Sequence, residues 1–163
     1  MYFSAKEILA QLDGTDMRIC DLVIKNETEI SEISREEIFS MLEERYQIMY
    51  NSAHDALEKE IRSLSGLTGG SAKKMWEYYK KGSSICDNTI IRGAAYALSC
   101  LEVNASMGLI VAAPTAGACG ILPGSLLTVA EKYDIPHQQV RFVFQRTDHR
   151  GKISAPFLPF PLC

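Results

Sequence analysis

The chain has 163 residues, of which 47% are hydrophobic and 23% are charged, and its formal net charge is -3. This length suits one ordinary domain with a core, and the weak, mixed charge argues against nucleic acid and anionic membrane surfaces as partners. No apolar run reaches the roughly 18 residues that span a bilayer, and the first residues lack the pattern of a signal peptide. We therefore expect a cytoplasmic protein without a membrane segment.

The first 64 residues predict helices. The short amphipathic stretch SAKEILAQL ends at Asp13 and Gly14, and Thr15 is placed to cap the helix that follows. Ser34 followed by Glu37 is a capping box, which predicts the start of a long helix. The apolar stripe of that helix comprises Ile38, Met41, Leu42, Tyr46 and Met49.

The middle of the chain predicts further helices, separated by glycine-rich breaks. SGLTGGS interrupts the helical pattern, and AKKMWEYYKKG resumes it in a short helix that ends at Gly82. The segment from about Asp87 to Val111 is rich in small residues, so we expect a central, buried helix that packs closely against other backbones. Pro123 suits the first turn of the next helix. Since no alternating strand pattern occurs, the predicted fold class is all-α.

The first candidate site is SGLTGG together with Ser71 and Lys73. Three glycines allow backbone amides to turn toward a ligand, and the following helix start is a natural anion site to which Lys73 adds charge. The P-loop pattern is not met, so nucleotide binding is poorly supported. The alternative is a flexible loop between helices.

The second candidate site is NASMG, residues 104–108, running into AAPTAGACG, residues 112–120. Asn104 needs hydrogen-bond partners if it is buried, and the small residues around Thr115, Gly117 and Gly120 allow a ligand or another backbone to approach closely. The alternative is a tight helix connection selected for packing.

Neither the cysteines nor the histidines indicate a metal site or a catalytic triad. The five cysteines are widely spaced with no CxxC pair, which predicts reduced thiols that behave as small buried hydrophobic groups. Cys119 has no partner at metal-ligand spacing. The three histidines do not cluster with carboxylates or cysteines, so we expect ordinary surface or satisfied side chains.

Three stretches carry a resemblance to a known family: SGLTGG with Lys73, EVNASMG (residues 102–108) and APTAGACGILPG (residues 113–124). In order and separation they resemble the α chain of bacterial iron–sulfur-dependent L-serine dehydratase, over roughly residues 1–140. The resemblance implies a helical catalytic domain that converts L-serine to pyruvate and ammonia without pyridoxal phosphate. It implies a [4Fe-4S] cluster with three cysteine ligands, whose open iron acts as a Lewis acid on the substrate hydroxyl.

The resemblance also implies that the two glycine loops hold the serine carboxylate and ammonium. The implied substrate-binding residues are Ser65, Thr68, Gly69, Gly70, Lys73, Asn104, Pro114, Thr115 and Gly117. The implied partner is a smaller β chain or domain, and a homo-oligomer is compatible with the sequence. No residue can be assigned as the catalytic base.

The sequence departs from the family pattern after about residue 140. The segments of the NASISGAEGGCQAEVG and CDPVxGxxxxPC types, which carry the cluster cysteines of the family, are missing. We therefore expect a helical family domain at residues 1–140, a tail at 141–163 that is frameshifted or disordered, and no cluster ligand in this chain. Two alternatives to a working lyase remain: a non-catalytic helical fragment that binds a partner chain or a small amino acid, and an unstable truncation product.

Overall fold

The computed structural model describes residues 5–82, 85–112, 115–137 and 139–140, which are predominantly helical. They form α1 (Ala5–Leu12), α2 (Ile19–Ser31), α3 (Arg35–Glu58), α4 (Ser71–Lys81), α5 (Asn88–Ala105), a short 3₁₀ turn (Ala116–Ala118) and α6 (Ile121–Lys132). No strand occurs in the described residues, where an isolated antiparallel bridge joins Arg62 to Gly69. The all-α prediction is confirmed. No helix in these ranges combines the length and apolarity needed to cross a bilayer.

The capping box predicted at the start of α3 is present. The Ser34 hydroxyl accepts a hydrogen bond from the Glu37 amide at 3.1 Å, and the Glu37 carboxylate accepts one from the Ser34 amide at 2.7 Å. Four members of the predicted apolar stripe are buried against the rest of the molecule: Ile38, Leu42, Tyr46 and Met49. Local sequence therefore fixes both the start of α3 and the face that it buries.

Helix α5 is the centre of the fold, as its small residues predict. It packs against α3, α4 and α6. The Ser99 hydroxyl inserts into the backbone ladder of α3, donating to the Ser52 carbonyl at 2.7 Å and accepting from the Ala56 amide at 3.1 Å. The main core gathers around these contacts and contains Tyr46, Met49, Ala53, Leu57, Ala95, Tyr96, Cys100, Cys119, Leu127, Ala130 and Val140.

Glycines allow α5 and α6 to approach closely. A Cβ on Gly120 would lie 2.6 Å from the Ala97 carbonyl oxygen, and one on Gly124 would lie 2.8 Å from the Gly93 carbonyl oxygen. Both distances are far below ordinary contact, so no side chain fits at either position. Helix packing therefore explains the two glycines in the last part, residues 120–124, of the APTAGACGILPG stretch.

Two predicted helix boundaries were wrong. Helix α5 ends at Ala105 rather than near Val111, because Met107 adopts a positive φ of 64° and the Gly108 amide bonds back to the Val103 carbonyl at 2.8 Å. This is the Schellman pattern that ends many helices. Thr15 does not cap α2, since its hydroxyl donates to the Leu12 carbonyl at 3.0 Å and so closes α1. The predicted tail, residues 141–163, lies outside the described residues.

Candidate functional site

Three segments that are distant in the sequence meet at the C-terminal end of α5. The Leu64 amide donates to the Ala105 carbonyl at 3.2 Å, and Asn104 Nδ2 donates to the Ala116 carbonyl at 3.5 Å. The Glu102 carboxylate in turn accepts a hydrogen bond from the Ser71 amide at 2.6 Å. We call this surface, formed by residues 63–72, 102–108 and 115–118, the loop junction. It unites both glycine-rich candidate sites.

The first glycine loop is closed by its own hydrogen bonds. The Ser63 amide donates to the Thr68 carbonyl at 2.9 Å, and the Gly66 amide donates to the Ser63 carbonyl at 2.8 Å. The Ser63 hydroxyl accepts from the Thr68 amide at 3.2 Å and lies 3.1 Å from the Ser65 hydroxyl. Ser65 and Thr68 are nevertheless exposed residues.

Gly69 and Gly70 fit this loop for a steric reason. Both have positive φ, at 141° and 78°, which disfavours any residue with a Cβ. A Cβ on Gly69 would clash with the Ile61 carbonyl oxygen. The loop backbone therefore runs directly over the segment that follows α3, which brings it to the start of α4.

Lys73 lies half-buried on the first turn of α4. Hydrogen bonds from Lys80 and from the Trp76 ring hold the pKa of the Glu58 carboxyl below its usual range, and the charge of Lys73 adds to this effect. Glu58 is therefore one acidic partner of the Lys73 charge.

The start of α4 is already occupied by a carboxylate of the chain itself. Glu102 Oε1 accepts hydrogen bonds from the Ser71 amide at 2.6 Å and from the Ala72 amide at 3.1 Å. Only 8% of Glu102 is exposed, and its Oε2 is buried with no partner among the described residues. The anion site that Gly70 and the helix start were predicted to offer is thus filled by Glu102, and a substrate carboxylate would have to displace it.

Glu102 was not among the residues predicted to bind substrate. Its sequence signal is its place on α5 beside Ser99 and Val103, which belong to the buried face of the helix. A carboxylate on a buried face needs hydrogen-bond donors. Those donors lie 30 and 31 residues away in the sequence, so no local pattern identifies them.

The second glycine loop contributes Thr115 and Gly117 to the loop junction, and both are exposed. The Thr115 carbonyl accepts from the Ala118 amide at 3.1 Å, which forms the short 3₁₀ turn. A Cβ on Gly117 would meet only the Thr115 hydroxyl, at an ordinary 3.9 Å. Packing therefore does not require glycine at position 117, in contrast to Gly120. Pro114 lies outside the described residues.

A cavity of about 270 Å³ adjoins the loop junction. Its polar lining includes Asn51 and Asp55 from α3 and Ser106 from the end of α5, and the apolar part includes Ile61 and Leu109. Asp55 was not singled out by the sequence, because a single exposed carboxylate on a helix carries no motif. The cavity is large enough for a small amino acid.

The thiols belong to the core. Cys100 is 0% exposed and Cys119 is 1% exposed. Burial raises the pKa of the Cys100 thiol to about 12, a hydrogen bond with Ser52 opposing this shift only in part, and burial also raises the pKa of the Cys119 thiol. Among the described residues, no three His, Cys, Asp or Glu side chains are grouped so that they could hold a metal ion. The prediction of small buried thiols is confirmed for Cys20, Cys100 and Cys119, whereas Cys86 is exposed.

A second polar cluster surrounds Glu131 on α6. The Tyr96 hydroxyl donates to its carboxylate at 2.7 Å, Arg92 lies 3.2 Å from it, and His54 lies 3.9 Å from it. Burial, and then the Glu131 hydrogen bond, raise the pKa of Tyr96 well above its usual value. His54 also stacks on Tyr50, with ring centroids 4.0 Å apart. The cluster ties α3, α5 and α6 together, so His54 is a satisfied side chain, as predicted.

The chain matches the family model described as "Serine dehydratase alpha chain" over residues 14–145. It is 35% identical over 145 residues to the probable L-serine dehydratase, alpha chain, of Bacillus subtilis (strain 168), covering 88% of this chain and 48% of that protein. It is 34% identical over 160 residues to the L-serine dehydratase, alpha chain, of Peptoniphilus asaccharolyticus, covering 98% of this chain and 55% of that protein. No solved structure matches significantly.

The chain therefore spans about half the length of these curated relatives. The family match runs to residue 145, beyond the boundary expected at residue 140, which stays a prediction. Its 132 residues, from 14 to 145, make up most of the 163-residue sequence and include all three segments of the loop junction. The chain belongs to the serine dehydratase alpha chain family.

Proposed function

We propose that this chain is the part of an L-serine ammonia-lyase that holds the amino acid substrate at the loop junction. The overall reaction eliminates water from L-serine and yields pyruvate and ammonia. The observation that carries the proposal is the meeting of three distant segments at the end of α5, through Leu64, Glu102 and Asn104. The relatives' names supply the substrate.

The exposed polar groups of the loop junction suit a small zwitterion. Ser65, Thr68 and Thr115 are exposed residues, and their hydroxyls are the proposed partners of the carboxylate and the side-chain hydroxyl of serine. A Cβ on Gly117 would meet only the Thr115 hydroxyl, so the backbone there is open to a ligand, whereas Gly69 and Gly70 set the course of the first loop beside it. Lys73 adds positive potential near the same surface.

The remaining predicted residues have supporting positions. Asn104 ties the end of α5 to the second loop through the Ala116 carbonyl, and so sets the spacing between the two loops. Pro114 precedes Thr115 and is proposed to border the loop junction. The catalytic base that removes the α proton is not assigned to any residue of this chain.

The family resemblance implies a [4Fe-4S] cluster, which would supply Lewis acidity to the leaving hydroxide. The described residues do not fit such a group. Thiolates are the usual cluster ligands, but burial raises the pKa of both Cys100 and Cys119, and no suitable donor group surrounds either of them. We therefore derive no step through a cluster on this chain, and we propose that the cluster ligands are absent from these 163 residues and that a β chain or domain is the partner.

Calorimetric titration of the purified chain with L-serine tests the proposal. We expect saturable binding, weakened about two- to tenfold by Thr115→Val, which deletes one hydroxyl at nearly constant shape. Thr28→Val, at a half-buried position on α2 outside the loop junction, is the control and should leave the affinity unchanged. Absence of L-serine binding, or equal effects of the two substitutions, would count against the proposal.

A pyruvate assay separates a lyase from an amino-acid-binding fragment. We expect no pyruvate from the chain alone, and pyruvate only when polypeptide that carries the cluster ligands is added. Serine deaminase activity of the chain alone, with stoichiometric iron, would contradict the proposal that these 163 residues contain no cluster ligand.

A further inference from the structure

The second carboxylate oxygen of Glu102 has no assigned role. Oε1 is satisfied by the Ser71 and Ala72 amides, but Oε2 is buried without a hydrogen-bond partner among the described residues. A buried carboxylate oxygen that has lost its water and gained no donor is costly, particularly where the side chain is only 8% exposed. Its position therefore favours a donor that is supplied by a ligand.

The neighbouring cations of the chain do not provide that donor. Arg62 forms its ion pair with Glu60, and no cation of the described residues donates a hydrogen bond to Glu102 Oε2. An α-ammonium group carries a positive charge and three donors, and its hydrogen bonds to a carboxylate are charge-assisted and strong. An amino acid bound at the loop junction would bring this group to the end of α5.

We infer that Glu102 Oε2 accepts a hydrogen bond from the α-ammonium of the bound amino acid. The inference rests on the proposed function and adds the residue that selects an amino acid over a hydroxy acid. Glu102 then has two tasks, because Oε1 holds the start of α4 while Oε2 faces the ligand. Since Oε2 is out of contact with solvent, the inference requires the chain around it to rearrange when the amino acid binds.

Two consequences separate this role from simple helix capping. L-glycerate, which has a hydroxyl in place of the α-ammonium of L-serine, should bind the wild-type chain much more weakly. Glu102→Gln should keep the cap, since its amide oxygen can still accept from the Ser71 and Ala72 amides. Its NH₂ group would take the place of Oε2. As a donor, it can hydrogen-bond to a hydroxyl oxygen but not to an ammonium group.

Calorimetry of the full chain with L-serine and with L-glycerate is the test. We expect Glu102→Gln to lower L-serine affinity at least about tenfold and to leave L-glycerate affinity unchanged or higher. Glu44→Gln, an exposed carboxylate on α3, is the matched control and should change neither affinity. Thermal unfolding should show Glu102→Gln close to wild type and Glu102→Ala clearly less stable, because alanine removes the cap.

Three results would overturn the inference while leaving the proposed function intact. These are equal binding of L-serine and L-glycerate to the wild-type chain, full L-serine affinity in Glu102→Gln, or loss of L-serine affinity in Asp55→Asn alone. The last result would place the ammonium in the cavity beside α3. The first comparison needs no variant, so equal binding would overturn the inference even if Glu102→Gln fails to fold. Absence of L-serine binding to wild type would instead refute the proposed function together with the inference.

Discussion

At the scale of single residues, burial determines the chemistry of the thiols. Cys100 and Cys119 are almost completely buried in the main core, where the protonated form is favoured. A thiol must lose its proton to attack or to bind metal, so these two residues are held in their least reactive state. Sequence alone predicted this outcome from the lack of ligand spacing, since small thiols without partners are usually buried.

The raised pKa of Cys100 predicts a loss of stability at alkaline pH. Its folded-state pKa of about 12 exceeds the unfolded value of about 8.5, so its contribution is complete below the unfolded pKa and is lost as pH rises through the interval between them. At about pH 9.5 this thiol alone should lower the free energy of unfolding by about 1 kcal/mol relative to about pH 7.

Urea unfolding at these two pH values measures the effect. Cys100→Ala should show a smaller decrease with pH than wild type, whereas Cys86→Ala, which changes an exposed thiol, should match wild type. Equal pH dependence in wild type and Cys100→Ala would mean that the Cys100 thiol is not protected from ionisation in the folded protein.

Glu102 shows why other single-residue features could not be predicted. A sequence reveals that a carboxylate falls on a buried helix face, but its donors come from the start of α4, on another element. The three glycines and the lysine of the first loop suggested a free anion site. The structure instead places the chain's own carboxylate there, and this was decided by tertiary contacts rather than by local pattern.

At the scale of elements, local signals predicted the start of α3 and the end of α4 but missed the start of α2 and the end of α5. The capping box of α3 involves only Ser34 and Glu37, so four adjacent residues determine it. The end of α5 depends on Met107, which adopts a positive φ that is uncommon for a residue with a side chain. Thr15 was equally ambiguous, because a threonine between two helices can close the first or open the second.

Gly120, at the contact of α5 and α6, and Gly117, in the short 3₁₀ turn before α6, should respond differently to substitution by alanine. Gly120→Ala places a methyl group 2.6 Å from the Ala97 carbonyl oxygen and should cost roughly 1–3 kcal/mol of stability through forced separation of the helices. Gly117→Ala meets nothing closer than the Thr115 hydroxyl at 3.9 Å, so its stability should stay close to that of wild type.

Thermal or urea unfolding of both variants tests this contrast, and L-serine titration adds a second readout. If position 117 is glycine because a ligand approaches there, Gly117→Ala should weaken L-serine binding without loss of stability. A destabilisation of Gly117→Ala as large as that of Gly120→Ala would show that both glycines serve packing, and would remove Gly117 from the substrate site.

At the scale of the whole molecule, the fold brings three segments that are separate in the sequence together in one surface, the loop junction. The class of fold and the central place of α5 followed from the sequence, because small-residue content and helical periodicity are local properties. The convergence of the two glycine loops did not follow from spacing, since it depends on contacts made by Leu64, Glu102 and Asn104 across the fold.

The central claim, that L-serine binds at the loop junction, is tested most directly by a ¹H–¹⁵N NMR titration of the labelled 18.1 kDa chain with L-serine. We expect saturable shifts of the amides of Gly69, Gly70, Asn104, Thr115 and Gly117, with little change around His54 and Glu131. Shifts confined to the Glu131 cluster, or no shifts at saturating L-serine, would contradict the account.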